Sequence, residues 1–449
     1  MRKLRYFYWL SQSFFKKHLW IILAAAIFGA VSFNQSATII KLLPKPKTTQ
    51  YIGVVSFDST LSNLPSYIQD RISDGLTSID ESGNFQPNLA ANWQIIDDGK
   101  TYIFKLKPDI YWQDGSRLVA SDINYSFKDV DIDIPDDQTI IFKLKEPFAP
   151  FPSIVSQPIF KRTHTPILQL VNRTNIIGTG EYKITKLNLS GNYLGQINLE
   201  SDHDRLIYRF YHTENAAITA FKLAEVDQLE DLSQLDDLAD WNTITITTKL
   251  DPQKYIGVFF NTRDTNLSSK NVRQALAYTI PDKPTDDTRA YSPISPKSWA
   301  YNPKVKPYDY SFDSAQKLLA DYKTDFELEL TTTPSYADMA EDIKTSWEQL
   351  GFKIKLKVVN FPDTSNYQIL LAGQQIPFDP DQYLLWHSTQ ATNITGYQNA
   401  KVDKLLEDGR KEIDQKKRKE IYLDFQRFLV EDTPAAFIKH LQIYTVTRN

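Results

Sequence analysis

The chain has no cysteine, only two methionines, six histidines and 15 glycines in 449 residues. Without cysteine there is no disulfide, no thiolate-held zinc or iron–sulfur centre and no thiol nucleophile. A lipoprotein anchor at the N-terminus is excluded too, because a cysteine carries the lipid. The six histidines (His18, His164, His203, His212, His387, His440) show no metal-ligand spacing. The phosphate loop GxxxxGK[ST], the dinucleotide fingerprint GxGxxG, HExxH and GxSxG are all missing. Ser201-Asp202-His203-Asp204 is the densest polar cluster and reads as a solvated loop. The acid pairs Asp97-Asp98, Asp136-Asp137 and Asp286-Asp287 stand in turn-like contexts, where Asp is common for local hydrogen bonding. No catalytic residue, metal or cofactor is assigned, and the chain reads as a non-enzyme. An extracytoplasmic hydrolase is the enzymatic alternative, since two glycosidase carboxylates need no sequence proximity.

What is present is unevenly placed. Residues 1–47 carry eight basic residues and no acid, which leaves 43 basic and 55 acidic residues beyond them, a net charge of −12. A body that acidic repels phosphate backbones, so nucleic-acid binding is not expected. The basic head flanks an apolar run from Leu19 to Phe33, extended weakly to Ile40. About 20 residues are needed to cross the hydrocarbon core. Two readings compete: a secretory signal cut near Ala30-Val31-Ser32, or an uncut anchor with its N-terminus in the cytoplasm. The long basic head (1–18) and the three lysines after the span (19–40) favour the anchor. Residues 41–50, with two prolines and three lysines, read as a linker. Either reading places the remainder outside the cytoplasmic membrane.

Local patterns then indicate an α/β chain. Thr101–Lys107 and Thr139–Lys145 both alternate, with Tyr102, Phe104 and Leu106 on one face and Ile140, Phe142 and Leu144 on one face. Ser121 reads as the N-cap of a helix. Helices are expected over 271–280, 313–322, 336–350, 401–411 and 416–430, the last with an apolar stripe of Ile421, Phe425, Phe428 and Leu429. Strands are expected over 352–359 and 435–446.

Several segments together resemble the family 5 extracellular solute-binding proteins, the peptide- and nickel-binding receptors of ABC importers. They include Ile72-Ser73-Asp74-Gly75-Leu76, Pro87-Asn88-Leu89-Ala90-Ala91-Asn92-Trp93, the run from Asp97 to Leu106, Trp112-Gln113-Asp114-Gly115-Ser116 and Ala120 to Phe127. Gly178-Thr179-Gly180-Glu181-Tyr182, Leu223 to Asp227, Val272-Arg273-Gln274-Ala275-Leu276, Asp379-Pro380-Asp381 and Tyr397 to Leu406 follow in family order. The resemblance covers roughly residues 50–445.

It implies a periplasmic-binding-protein type II-like clamshell of two large lobes with a small inserted lobe, preceded by one transmembrane or signal helix. Lobe I would comprise 51–60, 150–252 and 435–449, the inserted lobe 61–149 and lobe II 253–434. The backbone from Leu250 to Asn261, and again near Pro434, would form the hinge. The implied function is capture of a peptide or similar solute and its delivery to permease subunits with their ATPase, by a monomeric ectodomain. A sensory or scaffold protein reusing the fold is the alternative. Asp74-Gly75, Asp98-Gly99, Gly178-Thr179-Gly180 and Arg273 read as fold-keeping. Ligand contacts are expected from Asp379, Asp381, Tyr383, Trp386, His387 and Tyr397, with Trp112 and Trp299. Related peptide receptors pair an aspartate with the peptide's amino terminus; in this register that position is Ile376, which leaves the role to Asp379, to Asp381 or to neither.

Overall fold

The computed structural model describes residues 8–9, 12–25, 29, 47–56, 60, 64–167, 171–191, 193–281 and 283–449. The chain divides into two compact units, residues 1–49 with 202–205 and residues 50–201 with 206–449. In the first, residues 12–25 are helical. Among the described residues no helix is long and apolar enough to cross a membrane. Most of the expected span 19–40, and linker residues 41–46, lie outside the described residues.

The second unit is mixed α/β. The largest sheet has ten strands in the spatial order Lys183–Ser190, Tyr193–Glu200, Asp204–Tyr211, Thr48–Val55, Gln228–Leu232, Ala435–Arg448, Ile244–Phe260, Ile369–Gln375, Glu327–Thr332 and Lys353–Val358. The two central strands are unusually long and pair antiparallel, but not in one register. Ile244 to Asp251 face Arg448 to Leu441; the next pair is Tyr255 with His440, so Pro252-Gln253-Lys254 are looped out. Proline has no N–H to give a ladder, so Pro252 favours a break there.

Separate hydrophobic cores lie along this sheet. Beyond the break, Tyr255, Val258, Phe259 and Phe260 enter a core with the helices Lys270–Tyr278, Ala337–Gln349, Ala400–Lys411 and Gln415–Asp432. Before it, Ile52, Val54, Ile68, Leu199 and Tyr208 form a second core, and Phe221, Leu229, Ile244 and Val446 a third. A fourth core belongs to a separate antiparallel sheet, Ala90–Ile96, Thr101–Leu106, Thr139–Leu144 and Val130–Asp136. The two alternating segments pair with each other there, Tyr102 with Phe142 and Phe104 with Ile140. Their expected inner faces are buried: Tyr102, Phe104, Ile140 and Phe142 are inaccessible to solvent. Burying each such aromatic contributes roughly 1.5–3 kcal/mol.

Several local expectations change. Ser121 opens no helix; Ala120–Asp122 is a single 3₁₀ turn. The Asp122 carboxylate instead accepts the Trp112 indole N–H at 3.0 Å and the Val119 N–H at 3.1 Å. The last long helix buries Arg418, Tyr422, Phe425, Gln426, Leu429 and Val430, so its inner face is rotated from the purely apolar stripe. Ile421 and Phe428 are only partly buried. The fold-keeping motifs act as such. Arg273 donates to the carbonyls of Leu267, Ser268, Asp432 and Thr433. A Cβ on Gly178 would lie 1.9 Å from the Ile72 carbonyl oxygen, so only glycine fits. The adjacent Thr179 hydroxyl donates to Asp74 Oδ2 at 3.2 Å and accepts the Asp74 N–H at 3.0 Å.

Candidate functional site

A cleft of about 560 Å³ opens at the break between the two long strands. Asp251, Pro252, Gln253 and Lys254 form its floor, with Ile443 from the facing strand. Tyr67, at the start of the helix Ser66–Ile72, and Asp231, in the strand Gln228–Leu232, line one side; Gln375, which ends the strand Ile369–Gln375, and Phe378, just after it, line the other. Glu81 and Lys297 complete the rim.

The floor is set by backbone geometry. The Ile376 N–H donates to the Gln253 carbonyl at 2.7 Å, and the Gln253 N–H donates to Asp251 Oδ1 at 2.9 Å. Asp231 sits in a second irregularity, between the pairs Leu229–Val446 and Leu232–Tyr444, and has a φ of 60°. A left-handed Asp in a strand is uncommon, and bulges of this kind often re-aim a side chain beside a site. The Tyr67 phenol is pushed well above its ordinary value by burial and then by the carboxylates of Asp231 and Glu230. Burial, and then Asp231, likewise push the Glu230 carboxyl up.

The rim joins the four-stranded-sheet region to the core beyond the break. Glu81 and Lys297 form an ion pair at 2.5 Å. The Trp299 backbone N–H donates to the Ser82 carbonyl at 3.0 Å and its indole N–H to the Gly83 carbonyl at 3.2 Å. Asp80 holds this turn by accepting the N–H groups of Ser82 and Asn84 at 2.9 Å each, and the Asn84 N–H is the main cause of its lowered pKa. A smaller cavity of about 270 Å³ lies behind the turn, lined in part by Trp93, Trp299 and Arg418.

Of the eight residues expected to touch ligand, none lines the 560 Å³ cleft, and Trp299 alone lines the smaller cavity. Asp379 is buried and bonded through both oxygens to Arg418. Asp381 accepts the Arg410 Nε–H at 2.9 Å, while burial pushes its carboxyl up against the pull of that guanidinium. Tyr383 lies under Arg410, 4.1 Å from the ring centroid, and stacks on His387 at 4.1 Å. His387 is buried, with Nδ1 2.9 Å from Thr389 Oγ1 and Nε2 3.4 Å from Glu407 Oε1. Trp386 is buried against Phe437, and the Tyr397 hydroxyl donates to Asp432 at 2.7 Å. Trp112 is buried on Asp122. These contacts are packing and internal pairing: neither Asp379 nor Asp381 has a carboxylate turned to the cleft, and the position expected for the amine-binding aspartate is the buried Ile376. The cleft residues Tyr67, Asp231, Gln253 and Phe378 were not expected. A weak sequence signal existed only for Gln253, in the Asp251-Pro252-Gln253-Lys254 break within an otherwise strand-like run.

The family model described as bacterial extracellular solute-binding proteins, family 5 Middle, matches residues 84–396. The oligopeptide-binding protein AppA of Bacillus subtilis is 24% identical, over 93% of this chain and 90% of its own. The structure of AppA in complex with a nonapeptide superposes with a TM-score of 0.69 at 22% identity, covering 90% of this chain and 95% of its own. NikZ from Campylobacter jejuni, in complex with Ni(L-His), superposes with a TM-score of 0.73 at 23% identity, over 90% of this chain and 94% of its own.

Proposed function

The chain belongs to the bacterial extracellular solute-binding proteins, family 5, and we propose that it is the substrate-binding component of an ABC importer. It captures a short peptide or a similar solute and presents it to a permease with its ATPase. The observation that carries this reading is the 560 Å³ cleft at the break between the two long strands. Its size falls within the roughly 300–1,000 Å³ usual for small-ligand sites. Pro252-Gln253-Lys254 on one strand, with the turn at Thr433-Pro434 before the other, serve as the hinge, and the cores on either side move as lobes. The Glu81–Lys297 pair and the Trp299 contacts with Ser82 and Gly83 act as the latch of the closed form. The lobe limits are those read from the resemblance: 51–60, 150–252 and 435–449; the insert 61–149; and 253–434.

The basic head and apolar run hold the chain at the outer face of the cytoplasmic membrane, uncut; mass spectrometry of the mature N-terminus checks this, and a start near residue 32 would replace the anchor with a signal. The main test is thermal stabilisation of the purified chain by a library of tri- to pentapeptides. Ligand at 100 times its Kd adds about 2.7 kcal/mol of stability, which reads as a clear rise in Tm. A flat response across the library would remove the peptide version.

A further inference from the structure

We infer that the hinge side of the cleft is a subsite for a cationic nitrogen of the ligand, an ammonium or a guanidinium, held by Asp231, Gln253 and Tyr67. The inference rests on the cleft being the ligand site.

Gln253 lines the cleft, is 7% exposed, and its side-chain oxygen is buried without a hydrogen-bond partner. Tyr67 also lines it, and its buried hydroxyl faces the carboxylates of Asp231 and Glu230, to which its O–H can donate. Glu230 Oε2 is a third buried oxygen lacking a partner. Unmet buried acceptors are costly, and the Gln253 oxygen belongs to the same cleft as Tyr67 and Asp231. The Tyr67 O–H can serve one of the two carboxylates beside it, which leaves the Gln253 oxygen and the Asp231 carboxylate as the acceptors that line the cleft. Asp231 adds a carboxylate from a left-handed backbone position, the sort of strain that collects at binding sites.

The neighbouring cations do not fill the role. Lys254 pairs with Asp251 at 3.4 Å and Lys297 with Glu81 at 2.5 Å. Lys249 also lines the cleft and its charge acts on Glu81, while the charge of Arg71, which does not line it, acts on Glu230. A ligand N–H group with positive charge would meet a carboxylate and two neutral acceptors at once, and charge-assisted bonds of that kind are the strong ones.

The cation has two sources in a peptide, its amino terminus and a Lys or Arg side chain, and titration calorimetry on the full-length chain separates them. The probes are free tri- to pentapeptides, the same peptides N-acetylated, acetylated peptides containing Lys or Arg, and agmatine. Tight binding of free peptides with at least tenfold loss on acetylation assigns the terminus; retention by acetylated Lys or Arg peptides alone assigns the side chain. In either case Asp231→Asn, which keeps the left-handed backbone tolerable, and Gln253→Met, which keeps the shape, each weaken binding at least tenfold. Equal binding of acetylated peptides without Lys or Arg, or unchanged affinity in Asp231→Asn, overturns the subsite while leaving the cleft reading intact. Agmatine binding without any peptide binding removes the peptide reading and keeps the subsite. Silence from every probe overturns both.

Discussion

Arg418 grips Asp379 through two parallel bonds, 2.8 and 2.6 Å long, with both side chains 4% exposed. The same guanidinium donates to the Gly409 carbonyl at 2.8 Å. The pair thus ties the loop after the strand Ile369–Gln375 to two helices and fixes the wall that carries Phe378. Removing one partner of a buried pair strands the other charge. Arg418→Met is expected to cost about 3–5 kcal/mol in urea unfolding. The double variant Arg418→Met with Asp379→Leu should recover most of that loss, because no charge is left buried. Equal instability of the single and double variants would mean the pair contributes chiefly through packing.

Gly83 bears on the closure proposed above. Its φ is +81°, and a Cβ there would lie 2.6 Å from the carbonyl oxygen of Phe378, a residue that lines the cleft. Backbone cannot swing aside as a flexible side chain can. Gly83→Val is therefore expected to hold the walls apart, giving a larger radius of gyration in small-angle scattering and weaker retention of co-purifying ligand. A scattering profile superimposable on the parent's would show that the contact does not limit closure.

The strand pairs and most helices were legible because they rest on local periodicity. Tyr102 and Phe104 alternate into the core as the pattern requires. The helix Lys270–Tyr278 buries Val272, Ala275 and Leu276 as its spacing predicts. The family, too, was legible, since its glycine turns and Arg273 recur in order and the family model matches 84–396. The inner face of the last helix was not, because apolar counting overlooks buried polar residues. Gln426 enters that face by bonding the Ala300 carbonyl at 2.8 Å and Ser292 Oγ at 2.8 Å. The cleft was hidden for a different reason. Tyr67, Asp231 and Gln253 come from distant segments brought together by the sheet, and Asp231 reaches its left-handed backbone without a glycine to announce it.

His440 bears on the acid sensitivity of the break between the two long strands. Its Nδ1 lies 3.1 Å from the Lys254 carbonyl oxygen, at the break itself, and burial lowers its pKa below 6.5. The unfolded chain then binds a proton more readily than the folded one, so stability present above pH 6.5 is lost as the pH falls from there through the folded pKa. His440→Gln should flatten the stability profile between pH 6.5 and 5. An unchanged slope would assign the acid sensitivity to the carboxylates instead.

Lys283 shapes the alkaline side with the same sign. Its ammonium donates to the carbonyls of Ala277 and Tyr308 at 2.5 Å, but burial, and then the Arg289 charge, bring its pKa down to about 7. Between pH 7 and its unfolded value near 10.4 the unfolded chain keeps a proton that the folded chain has released. Stability therefore rises with pH across that window, by up to about 1.4 kcal/mol per pH unit; below pH 7 both states are protonated and this contribution is flat. The phenols raised by burial act in the opposite direction only near and above pH 10, so the range 7–9 isolates the lysine. Lys283→Met also leaves two carbonyls without their donor, which makes its stability at any single pH uninformative. The slope is the measurement: urea unfolding at pH 7, 8 and 9 should show the parent gaining stability relative to Lys283→Met. Parallel profiles would mean that the two carbonyl bonds keep the ammonium charged through this range.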